Sequence, residues 1–315
     1  MMEFVLVCHA GNSKDPIWRW GHVPYDFEIG KYPVTNQDYA EFLNAVARKG
    51  DPFCLYHGCL SSGLFGGIDA ANREGQRCFT AKAGWEQRPV VYINWYDLAR
   101  LANWYHYGRP DRGVSELGTT EGTDREGAYD TRCFPETLDA RTFFWKLPGK
   151  RNQGARYWIP NEDEWVKAGH YDPEKEGDRK YWDYAVRTDK IPGNQCLPDD
   201  PHAANYFRGV FSIGKPYFLS EVGAYRKAKS YFGTYDQGGN VWEWLENWRY
   251  KKGTAWGKWI GRLRKEEWVR GLKGGSATYS EIGLHLKNTD PGNPSHKKFV
   301  WGGRLARQLT MNKER

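Results

Sequence analysis

The stretch YDQGGNVWEWLENW, Tyr235 to Trp248, gathers Trp242, Trp244 and Trp248 with Asn240, Glu243 and Glu246 around a Gly238-Gly239 turn. Asparagine and glutamate oxygens are hard donors suited to a divalent cation. Two carboxylates so close can also serve acid–base chemistry. Tryptophans that need acceptors for their N–H groups can equally build a stiff corner of the core. The spacing leaves all three readings open.

Other reactive side chains are dispersed. Cys8, Cys54, Cys59, Cys78, Cys133 and Cys196 form no C-x-x-C pair, so neither a zinc knuckle nor a thioredoxin-like redox motif is supported. Cys54 and Cys59 flank His57 but lack a nearby fourth ligand, which favours a loop over a metal site. A chain this long does not need disulfides, so reduced thiols are expected. From Arg249 to Gly271 a basic stretch interleaves Arg249, Lys251, Lys252, Lys258, Arg262, Arg264 and Lys265 with Trp256, Trp259 and Trp268. It could stack on bases or sugars and pair with phosphates, as an anionic-polymer binder would. A solvated loop with aromatic anchors is the plainer expectation. The net charge of +7 over 315 residues does not by itself point to nucleic acid.

Three helices must position these groups. Thr35 and Asp38 open the first, with Tyr39, Phe42, Leu43 and Val46 on one face and Gly50 closing it. Asn94 and Asp97 open the second, with Leu98, Leu101, Ala102 and Tyr105 inward and Gly108 and Pro110 at its end. Asn161 and Glu164 open the third, with Trp165 and Ala168 inward and Pro173 as the stop. His170 is expected at its C-terminus, favoured by the helix dipole or at the core edge. Aromatic content of 16%, with 36 glycines and 16 prolines, implies a ring-built core among many turns and little regular structure. The stretches 111–156 and 249–270 read as insertions, and no linker divides the chain into two domains.

The first residues, MMEFVLVCHAGN, lack a basic flank and a small-residue cleavage site, and no apolar run reaches membrane-spanning length. The sequence as it stands is expected to be cytoplasmic, with export or surface display open if a leader precedes it.

The ordered segments YPVTNQDYAEFLNAV, RPVVYINWYDLARLANWY, YWIPNEDEWVKAGHYDP, YDQGGNVWEWLENW, RGLKGGS and GGRLAR resemble the formylglycine-generating-enzyme, or sulfatase-modifying-factor, family. They run from about Tyr25 to Arg307. The resemblance implies a single domain over 1–315, with its core at about 25–307, in an α+β, C-type-lectin-like fold with sparse secondary structure and long loops. Members range from the copper oxidase that gives the family its name, through sulfoxide synthases and a pyoverdine-maturation enzyme, to lectin-like variable proteins of diversity-generating retroelements. Fold alone does not choose among them.

In the namesake, copper is held by cysteines three and eight residues after the serine of the GGS motif. After Ser276 those positions are Tyr279 and Leu284. Copper(I) requires soft thiolates, so no copper and no formylglycine-generating activity are expected. The H-x-x-x-H-x-E pattern of the sulfoxide synthases is also missing. For calcium, which many members bind, the resemblance names the Asn240 side chain, the Val241 carbonyl and Glu243. A second calcium site would use Asn205, but the aspartate it needs is replaced by the run GKPYF.

In the variable proteins, the stretch between GGS and the closing arginine displays the ligand-contacting side chains. Here it is 277–301, with Tyr279, His285, Asn288, Asp290, Asn293, His296 and Trp301 suited to adaptable contact. Gly303 stands where phenylalanine is usual before the arginine, which removes a core ring. The expectation is a non-catalytic protein that binds a protein or glycan through 277–301, in the manner of a retroelement variable protein. The alternative is a metal-dependent oxidative enzyme acting on a peptide or small metabolite.

Overall fold

Three capping boxes start the three long helices at the residues their spacing names. The computed structural model describes residues 2–134, 149–197, 199–251 and 267–309. It contains α1 (Asn36–Val46), the single-turn α2 (Cys59–Ser62), α3 (Trp95–His106) and α4 (Glu162–His170). In α3, Asn94 Oδ1 accepts from Asp97 N at 2.8 Å and Asp97 Oδ2 accepts from Asn94 N at 2.9 Å. Thr35 with Asp38 and Asn161 with Glu164 close the same reciprocal box. Each satisfies donors that the first helical turn leaves unpaired, at about 1 kcal/mol per cap. The apolar stripes expected of the three helices are all buried.

Among the described residues there are ten strands, most of them short, in keeping with the glycine and proline content. β1 (Phe4–Val7), β2 (Phe27–Gly30), β10 (Ala306–Arg307) and β5 (Tyr157–Trp158) form an antiparallel sheet in the order β1-β2-β10-β5. β3 (Ile68–Arg73) and β4 (Gln76–Ala81) make a hairpin. β8 (Asp290–Gly292), β7 (Glu267–Lys273), β6 (Trp242–Lys251) and β9 (Trp301–Gly302) form a second sheet in that order. Within it β9 runs parallel to β6, and the β6–β7 register shifts between Trp244 and Trp248. Among the described residues no helix is long and apolar enough to cross a membrane.

The main core is built from rings, as the composition implies. Phe42 and Trp104 join α1 to α3 at 5.4 Å, and Trp95 of α3 meets Tyr129 at 5.4 Å. The described part of 111–156 is tied down by the fully buried Asn103. Its Nδ2 donates to Thr120 O at 2.8 Å, and its Oδ1 accepts from Ala128 N and Tyr129 N, both at 2.8 Å. Residues 135–148 of that stretch lie outside the described residues. So does most of the basic, tryptophan-rich stretch, including Lys252, Trp256, Lys258, Trp259, Arg262, Arg264 and Lys265.

Two local expectations are corrected. His170 is completely buried, its Nδ1 3.0 Å from Trp182 O, and burial pushes its pKa down to about 3. It is therefore neutral at ordinary pH and adds no cation to the helix dipole. At Gly303, the space expected of a phenylalanine ring is taken by Leu98 of α3, because a Cβ added there would run into Leu98 Cδ2.

Gly303→Phe should therefore overpack the α3 face and cost about 1–3 kcal/mol in urea denaturation, with Leu98→Ala recovering part of the loss in the double variant. Because the folded pKa of His170 lies below its unfolded value, its contribution to stability is complete above about pH 6.5 and falls away as pH drops toward its folded pKa of about 3. Between about pH 7 and 5, His170→Gln should lose less stability than the wild type, measured by urea midpoints at each pH.

Candidate functional site

Glu243 and Glu246 leave β6 for separate partners. Glu243 Oε1 accepts from Arg304 Nη2 and Oε2 from Arg304 Nε, both at 2.7 Å, and Trp165 Nε1 donates to Oε2 at 2.7 Å. Glu246 Oε1 instead accepts from Arg151 N at 2.8 Å and from the Tyr129 hydroxyl at 3.1 Å. Burial raises the Glu246 pKa. The two carboxylates are thus each bound up in structure, and they do not form a working acid–base pair.

The residues named for calcium take part in the same contacts. Asn240 has φ +59° after Gly239 at +85°, a turn in which an added Cβ at Gly239 would strike the Asn205 carbonyl. Asn240 Oδ1 accepts from Ser220 N at 3.1 Å and from Asn205 Nδ2 at 3.2 Å. Both oxygens of Glu243 face Arg304 or Trp165, and the guanidinium already supplies the positive charge. Asn240 Oδ1 and both Glu243 oxygens are therefore engaged by protein donors. Asn205 Nδ2 also donates to Phe218 O at 3.0 Å, while its Oδ1 is buried without a hydrogen-bond partner. Among the described residues, no group of three or more His, Cys, Asp or Glu side chains could hold a metal.

The 277–301 segment starts from two left-handed glycines, Gly274 at φ +96° and Gly275 at φ +74°. Beyond Ser276, Tyr279 is 48% exposed, with its ring edge-on to Trp242 at 5.4 Å. Leu284 ends a short 3₁₀ turn, Glu281–Leu284, and is 2% exposed. It packs in an apolar cluster with Tyr184, Val186, Tyr206 and Tyr225, against which Cys196 also lies. The positions matching the copper cysteines thus hold an exposed phenol and a buried aliphatic group. One nearby thiol, whose pKa burial raises, does not make a two-thiolate site.

The seven predicted contact residues do not converge on one point. His285 is half-buried between Trp18, at 5.9 Å, and Tyr184, at 5.3 Å, and burial lowers its pKa against the pull of Asp183. Asn288 is half-buried, its carbonyl 3.1 Å from Lys273 Nζ. Asp290 is exposed on the edge strand β8. Asn293 Oδ1 accepts from Ser295 N at 3.0 Å, and exposed His296 donates its amide to Asn293 O. These last two lie by the N-terminus of α3, where Trp95 N donates to Pro294 O. Trp301 is a correction: it is 4% exposed and meets Trp244 edge-on at 4.9 Å. A ring packed in the core has no face left for a ligand.

Two lysines that the sequence reading did not single out hold the segment in place. Lys273, 1% exposed, donates to Leu286 O at 2.6 Å and Asn288 O at 3.1 Å, with Glu162 3.5 Å away. Burial pushes its pKa down to about 8. Lys297 Nζ meets Asp97 Oδ2 at 2.6 Å, with both side chains buried, and donates to Cys54 O at 2.6 Å. Asp97 therefore caps α3 and anchors the segment at once. Lys273 stands in RGLKGGS and Lys297 in the polar run NPSHKK, and neither setting signals a buried cation.

Comparison with known proteins places this geometry. The family model for the sulfatase-modifying factor enzyme 1-like domain matches residues 20–309. A formylglycine-generating enzyme of Mycobacterium tuberculosis is 27% identical over 231 residues, which are 69% of this chain; the match spans only 62% of that protein's length. Among solved structures, CarF aligns with a TM-score of 0.57 at 19% identity, covering 98% of this chain and 99% of that one. Treponema denticola variable protein 1 aligns at 0.51 and 17% identity, covering 98% and 95%. The α+β architecture of few helices, small sheets and long loops is thus the formylglycine-generating-enzyme-like, C-type-lectin-like fold.

Glu243→Gln should leave Arg304 buried beside a neutral amide and cost about 3–5 kcal/mol of stability, read from urea denaturation. A loss below about 1 kcal/mol would show that water or a counter-ion reaches the guanidinium.

Proposed function

The chain belongs to the family of sulfatase-modifying factor enzyme 1-like domains, and on that premise we propose that this member binds a protein or glycan ligand through residues 277–301 and does not generate formylglycine. The observation that carries the proposal is Leu284. At the second copper-ligand position it is 2% exposed inside an apolar cluster, while the first position holds Tyr279, 48% exposed. A site whose soft donors are replaced by a packed aliphatic group and a surface phenol has lost metal chemistry and kept a contact surface. The segment's pinned backbone and its exposed Tyr279, Asp290 and His296 support display of side chains to a partner. Display on a fixed backbone is also what a variable protein of a diversity-generating retroelement requires. A template repeat beside a reverse transcriptase gene, differing from this gene only within codons 277–301, is the observation that tests that narrower reading.

The biochemical test has two arms. Protein purified from copper- and iron-supplemented cells should carry neither metal in stoichiometric amount and should leave the cysteine of a sulfatase-motif peptide unoxidised, followed by mass spectrometry. Stoichiometric copper or iron would instead support the oxidative alternative, and aldehyde formation would overturn the proposal. In the second arm, the best binders from a glycan array and a displayed peptide library should lose about tenfold or more in affinity on Tyr279→Ala and on His285→Ala. Trp301→Ala should act through stability, costing about 3–5 kcal/mol as other buried ring truncations do.

A further inference from the structure

Beside Tyr279 a ladder of rings runs from the surface through a small core and out again, and neither the motifs nor the family comparison assigns it. Phe299, 43% exposed, stacks on Phe65 at 5.3 Å with planes 13° apart. Phe65 meets Phe218 at 5.4 Å, Phe218 meets Phe211 at 4.8 Å, and Phe211 meets Phe207 at 5.0 Å. Phe207 N then donates to Tyr279 O at 3.0 Å. The ladder therefore starts within 277–301, at Phe299, and ends at Phe207, whose amide is bonded to that segment. Its middle is firm, because Phe65 and Phe218 are 3% and 7% exposed and belong to a small core with Val91, Leu219, Val241 and Ala277. Its outer parts are not covered. Phe211 is 43% exposed, and Leu64 and Val210 beside the rings are 62% and 58% exposed. Contiguous exposed apolar surface is uncommon on soluble proteins and marks interaction sites.

The chemistry of the face selects among partners. Phenylalanine, leucine and valine offer no hydrogen bonds, and burying sugar hydroxyls against them would leave those hydroxyls unpaired. Two of the ring contacts are edge-to-face, at 71° and 78°, so much of the ladder presents edges rather than the flat faces on which bases stack. An apolar centre of rigid rings with a charged rim is the anatomy of a protein interface. The charge on the rim has one dominant sign. The ladder's segments 64–66, 207–218 and 296–299 contain Arg208, Lys215, Lys297 and Lys298 and no carboxylate. Lys297 is committed to Asp97, and Lys298 Nζ lies 4.2 Å from the centre of the Trp301 ring; Arg208, Lys215 and Lys298 belong to exposed residues. Acids near these segments in the chain are Glu281, two residues beyond Tyr279, and Glu221, three beyond Phe218, which lies 3.8 Å from Arg88.

We propose that this ladder is the floor of a docking site for an acidic protein segment. The segment lays aromatic or branched aliphatic side chains against the exposed Phe211 and Phe299, which the buried Phe65 and Phe218 hold in place, and its carboxylates meet Arg208, Lys215 and Lys298. The proposal rests on the ligand-binding reading of 277–301 and deepens it by naming the partner class.

The test begins with a displayed library of short random peptides selected on the wild-type protein. The best sequences are then titrated as free peptides. Selected peptides should combine Trp, Phe or Leu with Asp or Glu. Their affinity should fall about tenfold or more on Phe211→Ser, on Phe299→Ser and on the Arg208→Glu/Lys298→Glu double variant, with melting temperature held, because the substituted side chains are surface groups. Added salt should weaken binding. Wild-type affinity on both serine variants, or selected peptides without acidic residues, would overturn the proposal. So would binding confined to a glycan array or to polyuridylate, or a wild-type dimer that Phe211→Ser splits. Should a serine variant melt early, the charge-reversal variant carries the test, and unchanged affinity there also overturns the proposal. Loss on Tyr279→Ala with none on the phenylalanine variants removes the ladder but leaves the 277–301 reading standing. Retention on all of them removes both.

Discussion

A guanidinium and a carboxylate beyond the reach of water hold this fold together. Arg304 and Glu243 are 0% and 1% exposed and meet through two hydrogen bonds of 2.7 Å. Removing both charges from water is costly, and the attraction offsets that cost only when the remaining donors and acceptors are used. They are used here. Arg304 also donates to Gly30 O at 2.9 Å and Tyr235 O at 2.8 Å, and Trp165 of α4 completes Glu243. One side chain thus ties together the end of β2, the turn before β6, β6 itself and α4. Since Arg304 follows β9 directly, the pair also fixes where the 277–301 segment must end.

With that end fixed, the segment's course follows from further buried cations. Lys273 holds its middle by two carbonyls, and Lys297 holds its last part on the capping aspartate of α3. The Lys273 contacts use main-chain carbonyls and the Lys297 contact an inward side chain, so together they place the backbone while leaving the outward side chains unconstrained in type. A surface ordered before binding loses little conformational entropy on binding. The cost of this arrangement is desolvation: burial lowers the Lys273 pKa and raises that of Asp97, in each case disfavouring the charged form the contact uses.

The same logic explains why residues carried over from family motifs did not all keep their family roles. Asn240, Val241 and Glu243 are consecutive enough to suggest one ion site, but a side chain's role depends on what lies opposite it. Opposite Glu243 lies Arg304, sixty-one positions away in the chain. Opposite the copper-ligand position at Leu284 lie tyrosines from 184–225. Trp301 looked like a contact residue because it closes a polar segment, but its strand runs parallel to β6 and turns the ring onto Trp244.

The sequence by itself determined what depends on neighbours within a helical turn and on matched motifs. Thr35/Asp38, Asn94/Asp97 and Asn161/Glu164 named all three helix starts, because a capping box is closed within four residues. The apolar stripes at Leu98 and Trp165 named the faces that bury. The order of six motifs named the fold, and the absence of cysteine after Cys196 named the lost copper ligands. Only the tertiary structure decided the rest. That Leu98 fills the place of a missing ring at Gly303, that Lys297 reaches Asp97, that His170 is neutral, and that Phe299, Phe65, Phe218, Phe211 and Phe207 form one ladder all depend on contacts between residues far apart in the chain. Such contacts leave no period or spacing in a single sequence, since their partners are set by packing and desolvation rather than by chain geometry.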